Sequence, residues 1–107
     1  MKCGIDIIDI DRIEKSISKD YFFLNVFTDG ERQYINSKPS KAATAAGIYC
    51  AKEAYVKALG TGITRDCFQT VEVFHTDAGK PYLNIPNTDL SISHTEKTAT
   101  AIVIIRG

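Results

Sequence analysis

Hydrophobic and polar positions change their period several times along this chain, and each change marks an element. Lys2 to Ile8 concentrates the β-branched Ile5, Ile7 and Ile8, with Gly4 leaving room for close packing, and predicts a strand. From Asp9 the spacing lengthens. Ile10, Ile13 and Ile17 fall at i, i+3 and i+7, a helical stripe capped by Asp9, with Asp11 and Glu14 near its positive end. Arg12, Lys15 and Lys19 take the exposed sides. Tyr21 to Phe27 is aromatic and apolar, a short segment that packs. Thr28-Asp29-Gly30-Glu31 reads as a capping box opening a second helix, which ends before Ser37-Lys38-Pro39-Ser40 because Pro39 disfavours helical geometry at Lys38. A long third helix runs from about Lys41 to Leu59, and its small residues from Ala42 to Ala46 suit close packing against a sheet.

The last third alternates as strands do. Thr70 to His75 puts Val71 and Val73 on one side with Glu72 and Phe74 on the other. Asp77-Ala78-Gly79-Lys80-Pro81 is a turn into Tyr82 to Ile85, and Pro86 to Asp89 breaks the chain again. Leu90 to His94 and Thr98 to Ile105 pair as a hairpin about Thr95-Glu96-Lys97. The class is α+β: an N-terminal strand, three helices, then antiparallel strands, with the long helix packed on the sheet.

Composition narrows the function classes. Residues 1–107 suit one domain, with a thin core. Thirteen basic and thirteen acidic side chains cancel, so no global field calls for nucleic acid or a membrane surface, and recognition rests on local patches. Cys3, Cys50 and Cys67 are odd in number and lack CxxC spacing, which argues against a disulfide framework or structural zinc and for a reducing cytoplasm. The N-terminus is not a signal peptide, and no apolar run approaches the roughly 18 residues of a membrane span.

Two readings stand for each polar residue in an informative place. Asp6, inside an apolar strand, either bonds a backbone amide or a nearby lysine, or serves as a metal ligand. Glu53 and Lys57 either form an i, i+4 surface pair or belong to a site. If Asp6 faces the same helix as Glu53, the two carboxylates converge in the way Mg²⁺ is commonly held. Gly60-Thr61-Gly62 either ends the helix in the left-handed region or offers backbone amides to a phosphate beside Lys57. His94, flanked by hydroxyls in Ser93-His94-Thr95, is structural or part of a site, whereas His75 has no such company and reads as structural.

Four separated motifs occur together and in order: GIDIIDIDRI at the start, AGIYCAKEAYVKALGTGI in the long helix, GKPY, and LSISHTE. With FTDGERQY between them, they make the chain resemble the short bacterial holo-(acyl-carrier-protein) synthases, a type of 4'-phosphopantetheinyl transferase, over nearly its whole length. The resemblance implies transfer of the phosphopantetheine arm of coenzyme A to a serine of an apo acyl carrier protein, with release of adenosine 3',5'-bisphosphate. It implies Mg²⁺ held by Asp6 and Glu53, and Lys57 at the pyrophosphate. It places Gly60, Gly62, Ser93, His94 and Thr95 along the coenzyme site and Arg12 and Lys15 against the carrier protein. It also implies a homotrimer with sites between subunits.

Two departures bear on affinity. Where the family reads G-R-F-A-x-K-E, this chain has Gly47-Ile48-Tyr49-Cys50-Ala51-Lys52-Glu53, so Ile48 replaces an arginine associated with a coenzyme phosphate. Losing such a charge-assisted contact costs about 1.5–3 kcal/mol of binding. Lys38 and Lys41 are the cations nearby in sequence. The first helix mixes Arg12, Lys15 and Lys19 with Asp11, Glu14 and Asp20, less basic than the family's carrier-binding helix. The alternative is a non-catalytic oligomeric protein that binds coenzyme A or a nucleotide on the same scaffold. The carboxylate pair separates the two, since a pure binder has no need to hold it together.

Overall fold

The computed structural model describes residues 1–61 and 65–107, without the side chains of Arg65 and Asp66. Strand β1 (Lys2–Asp9) runs antiparallel to the last strand, β5 (Thr98–Ile105), with Ile5 opposite Ile102 and Asp6 opposite Ala101. Strand β4 (Thr88–His94) pairs on the other side of β5, so the sheet order is β1-β5-β4. The hairpin about Thr95 forms as the sequence predicts, closed by the Thr95 N–H donating to the Thr98 carbonyl at 2.8 Å. Strands β2 (Val73–His75) and β3 (Pro81–Leu83) make a separate two-stranded sheet.

Five helices, not three, are found among the described residues: α1 (Ile10–Ile17), α2 (Asp20–Val26), α3 (Asp29–Asn36), α4 (Lys41–Leu59) and α5 (Arg65–Thr70). α2 is the aromatic segment. It turns Phe22, Phe23 and Val26 inward and leaves Tyr21, Leu24 and Asn25 exposed, a helical spacing too short to read as one. α5 shortens the predicted Thr70–His75 strand. The Val71 N–H bonds back to the Cys67 carbonyl at 3.0 Å, and pairing starts only at Val73.

The capping box on α3 is complete. Thr28 Oγ1 accepts from the Glu31 amide at 3.2 Å, and Glu31 Oε1 accepts from the Thr28 amide at 2.9 Å. Asp9 occupies the N-cap of α1 but makes no side-chain capping bond. The Ile10 amide instead donates to the Lys97 carbonyl at 2.8 Å, so the β4–β5 turn satisfies a group left open by the helix.

Small residues set how closely α4 lies on the sheet. A Cβ on Gly4 would stand 2.0 Å from the Ala54 carbonyl oxygen and 2.6 Å from the Ala58 nitrogen, so strand and helix backbones touch there. Ala45, Ala46, Ala51 and Ala54 from α4 meet Ala99, Ala101 and Val103 from β5 in the core. The opposite face of the sheet is apolar and uncovered: Ile5, Ile7 and Ile102 are 62%, 69% and 40% exposed.

Candidate active site

β1 alternates, and the alternation that sends Ile5 and Ile7 outward sends Asp6 inward toward α4. Asp6 and Glu53 line one cleft of about 290 Å³ with Ile8, Arg12, Phe22 and Tyr49. Glu53 is only 8% exposed. The i, i+4 pair with Lys57 is not made. Lys57 Nζ reaches across to the strand and donates to Asp6 Oδ1 at 2.9 Å, and this partner raises the lysine pKa. Tyr49 and Glu53 line the cleft together. Burial first, and then the neighbouring Glu53 carboxylate, pushes the Tyr49 phenol pKa well up, so it stays protonated. The Cys50 thiol, raised by burial and by the nearby Asp6 charge, also stays protonated.

The donor set fits a hard divalent cation. Two carboxylates from different elements face one cleft, and among the described residues no cluster of three or more His, Cys, Asp and Glu is arranged to hold a metal. That is too few ligands for a closed zinc site. It matches the way Mg²⁺ is bound, by one or two carboxylates with water and substrate phosphates completing the shell.

The other predicted residues divide among several places. Arg12 lines the cleft beside Asp6, and Lys15 lies exposed in the last turn of α1. Gly60 ends α4 at φ 76°, its amide bonded to the Val56 and Lys57 carbonyls at 3.1 Å, so the terminating role is realised. Gly62 lies outside the described residues. His94 lines a second cavity, of about 250 Å³, together with Tyr34, Ile48 and His75. Ser93 points to the opposite face of the sheet, in a shallow hollow with Ile5 and Ile102. The Thr95 hydroxyl is built into its turn, accepting from the Lys97 amide at 3.2 Å and the Thr98 amide at 3.0 Å. Within one chain, then, the structure unites Asp6, Arg12, Glu53 and Lys57 and keeps the Ser93-His94-Thr95 segment apart from them.

Three residues gain a role that sequence reading did not give them. Lys52 is 1% exposed and ion-paired with the fully buried Glu31, while it donates to the Val26 carbonyl at 2.8 Å and the Phe68 carbonyl at 2.5 Å. His75 stacks on Tyr34 with ring centroids 3.7 Å apart and planes 5° off parallel, in the wall of the second cavity. Tyr49 lines the Asp6–Glu53 cleft, packed on Phe22 and Phe68. Of the cations near Ile48 in sequence, Lys38 lies over the Tyr34 ring at 4.8 Å, at the second cavity, whereas Lys41 lines a different groove with Glu14 and Pro39.

Known proteins share both this fold and this pattern. The family model of the 4'-phosphopantetheinyl transferase superfamily matches residues 2–103. The holo-(acyl-carrier-protein) synthase of Fusobacterium nucleatum subsp. nucleatum is 39% identical across 95% of each chain. The crystal structure of a holo-(acyl-carrier-protein) synthase from Bacillus anthracis str. Ames in complex with CoA (3',5'-ADP) superposes with a TM-score of 0.85 at 40% identity, covering 95% of this chain and 92% of that one. The Helicobacter pylori enzyme in complex with coenzyme A gives a TM-score of 0.85 at 28% identity, covering 96% of this chain and 98% of that one. With the family pattern spanning nearly its entire length, this chain belongs to the 4'-phosphopantetheinyl transferase superfamily.

Proposed function

We propose that this protein transfers the 4'-phosphopantetheine group of coenzyme A to a serine of an apo acyl carrier protein, releasing adenosine 3',5'-bisphosphate. It is the activity named for its relatives. The observation that carries it here is the convergence of Asp6 on β1 and Glu53 on α4 in one cleft, with Lys57 bonded to Asp6 and Arg12 on the rim. In the reaction the serine oxygen bonds to the β-phosphorus as its hydroxyl proton passes to solvent water, the bond from that phosphorus to the bridging oxygen breaks, and the bisphosphate leaves. Negative charge grows on the pyrophosphate as the bond breaks. Lys57 and Arg12 supply positive charge where that charge develops. Asp6 and Glu53 are the residues that would hold Mg²⁺, which adds Lewis-acid stabilisation of the phosphoryl oxygens.

The carrier protein meets α1, with Arg12 and Lys15 as its cationic contacts. The active form is a homotrimer. Its support is twofold: the uncovered Ile5, Ile7 and Ile102 face needs a partner, and the Ser93-His94-Thr95 segment lies away from the carboxylates of its own chain. The location is the cytoplasm. Cys3, Cys50 and Cys67 form no disulfide with one another, and no described helix is long and apolar enough to cross a membrane.

The test is mass spectrometry of an apo acyl carrier protein incubated with this protein, coenzyme A and Mg²⁺. A gain of one phosphopantetheine that EDTA prevents establishes both the reaction and the metal. Glu53→Ala abolishes the gain while circular dichroism stays native. Coenzyme binding with no transfer under any condition supports the non-catalytic reading, for which the uncharged Ile48 in the His94 cavity is the supporting feature.

A further inference from the structure

The chain's two histidines, His75 on β2 and His94 on β4, line one cavity of about 250 Å³. From α4 come Gly47 and Ile48, which bring no polar side chain, and Thr44, whose hydroxyl donates to the Ser40 carbonyl at 2.8 Å. No aspartate or glutamate lines the cavity among the described residues. From α3 come Tyr34 and, 4.8 Å from its ring centre, the Lys38 ammonium, which has no carboxylate within ion-pair distance among the described residues. Lys80, Glu96 and Lys97 stand in the adjoining turns, outside the lining. Cations and neutral donors without a facing carboxylate suit an anion.

The geometry of His94 makes its donor conditional. Nδ1 lies 3.0 Å from the Thr95 carbonyl oxygen, which can only accept, so Nδ1 carries the proton of the neutral ring. Nε2 is then an acceptor, and it donates to an anion only after the ring takes a second proton. His75 lies flat on Tyr34, with centroids 3.7 Å apart, which sets its ring in the cavity wall. Burial, and then the Lys38 charge, favours its neutral form, a preference that an anion beside it reverses. We propose that this cavity is a proton-dependent phosphate site, in which His75 and His94 hold a phosphate monoester as imidazolium ions. The inference rests on the coenzyme A reading and deepens it, since the 3'-phosphate is the monoester of that coenzyme. A permanent cation at position 48 would bind such a group at any pH, whereas Ile48 leaves it to side chains that change charge between about pH 5 and 8.

Coenzyme A and dephospho-coenzyme A, which lacks only the 3'-phosphate, are the probes, titrated by calorimetry into the full-length protein with Mg²⁺ and no carrier protein, so nothing turns over. The ratio of their Kd values isolates the monoester. In the wild type the preference for coenzyme A should shrink about fivefold or more between about pH 6.5 and about pH 8, as the imidazoles lose their second proton. The 3'-phosphate itself gains charge over that range, so its own titration would move the preference the other way. His75→Gln should weaken the pH dependence, and His75→Gln with His94→Gln should abolish it, while dephospho-coenzyme A still binds as it does to the wild type. A wild-type preference that stays flat or grows with pH overturns the proton-dependent site and leaves the coenzyme reading standing. Undiminished dependence in His75→Gln overturns the paired site. No binding of either coenzyme at either pH overturns the coenzyme reading, and the phosphate site with it.

Discussion

Lys52 and Glu53 are neighbours in sequence whose side chains serve opposite ends. Glu53 faces the cleft, while Lys52 is sealed inside, where its ammonium ties the end of α2 and α5 to the Glu31 cap of α3. Burial lowers the Lys52 pKa more than the Glu31 charge raises it. Glu31 also accepts from the Val73 amide at 2.8 Å, so one ion pair fastens four elements to α4. Removing one partner of such a pair strands the other charge in the core. Lys52→Met should therefore lose about 3–5 kcal/mol in urea unfolding. Adding Glu31→Gln should restore part of that loss, since the stranded charge is then gone; strictly additive losses would show that the two groups do not interact. His75 gives a pH test. Burial first, and then the Lys38 charge, lowers its pKa below the ordinary 6.5. The unfolded chain then binds more protons, so stability falls as pH drops through about 6.5 and levels off below the folded-state value. His75→Phe, which preserves a ring on Tyr34, should lose less stability between about pH 7.5 and about pH 5 than the wild type does. Equal losses would remove His75 from the account.

At the scale of elements, the contact between β1 and α4 fixes the site, because it places Asp6 and Glu53 in one cleft. The contact is possible only without a side chain at position 4. Gly4→Ala drives a Cβ to 2.0 Å from the Ala54 carbonyl oxygen, and backbone on both sides must move. Overpacking of this kind costs about 1–3 kcal/mol or more. Gly4→Ala should lower the thermal midpoint and reduce phosphopantetheine transfer together, whereas Ala54, buried but not in that backbone clash from its own side, should tolerate glycine better for activity. A Gly4→Ala protein with wild-type stability and transfer would show that the helix sits looser than the structure has it. Much of this arrangement was legible in the residues. Gly4 and the small residues of α4 announce close packing, the Thr28–Glu31 box opens α3 where expected, and Asp6 in an apolar strand asks for a partner. The pairing of β1 with β5 was not legible, because local periodicity carries no information about which distant strand lies alongside. Nor were α2 and α5, whose seven and six residues are too few for a helical period to emerge from a cluster of aromatics. Lys52 escaped for a related reason: a lysine beside a glutamate looks like a solvated helix face until the surrounding elements close over it.

At the scale of the whole molecule, the sheet has one face under α4 and one face bare. Ile5 and Ile102 sit opposite one another across β1 and β5, and Ile7 extends the patch along β1. A row of β-branched side chains in water is costly, and contiguous patches of this sort mark interaction surfaces. The same face carries Ser91 and Ser93 on β4, so a subunit seated there would lie beside the segment that leads into His94. A closed ring joins two different surfaces of each chain, which lets one subunit supply carboxylates and its neighbour supply the Ser93-His94-Thr95 segment. If so, assembly and catalysis fail together. Ile5→Lys puts a charge in the patch opposite Ile102, away from the residues that line the Asp6–Glu53 cleft. Light scattering after gel filtration should show the wild type as a trimer and Ile5→Lys as a monomer. The variant's circular dichroism should remain native, and its transfer of phosphopantetheine to an apo carrier protein should be lost. A folded monomer that retains full transfer would place the whole site within one chain. In that case the distance between the Asp6–Glu53 cleft and the His94 cavity would have to be spanned by the coenzyme on a single subunit.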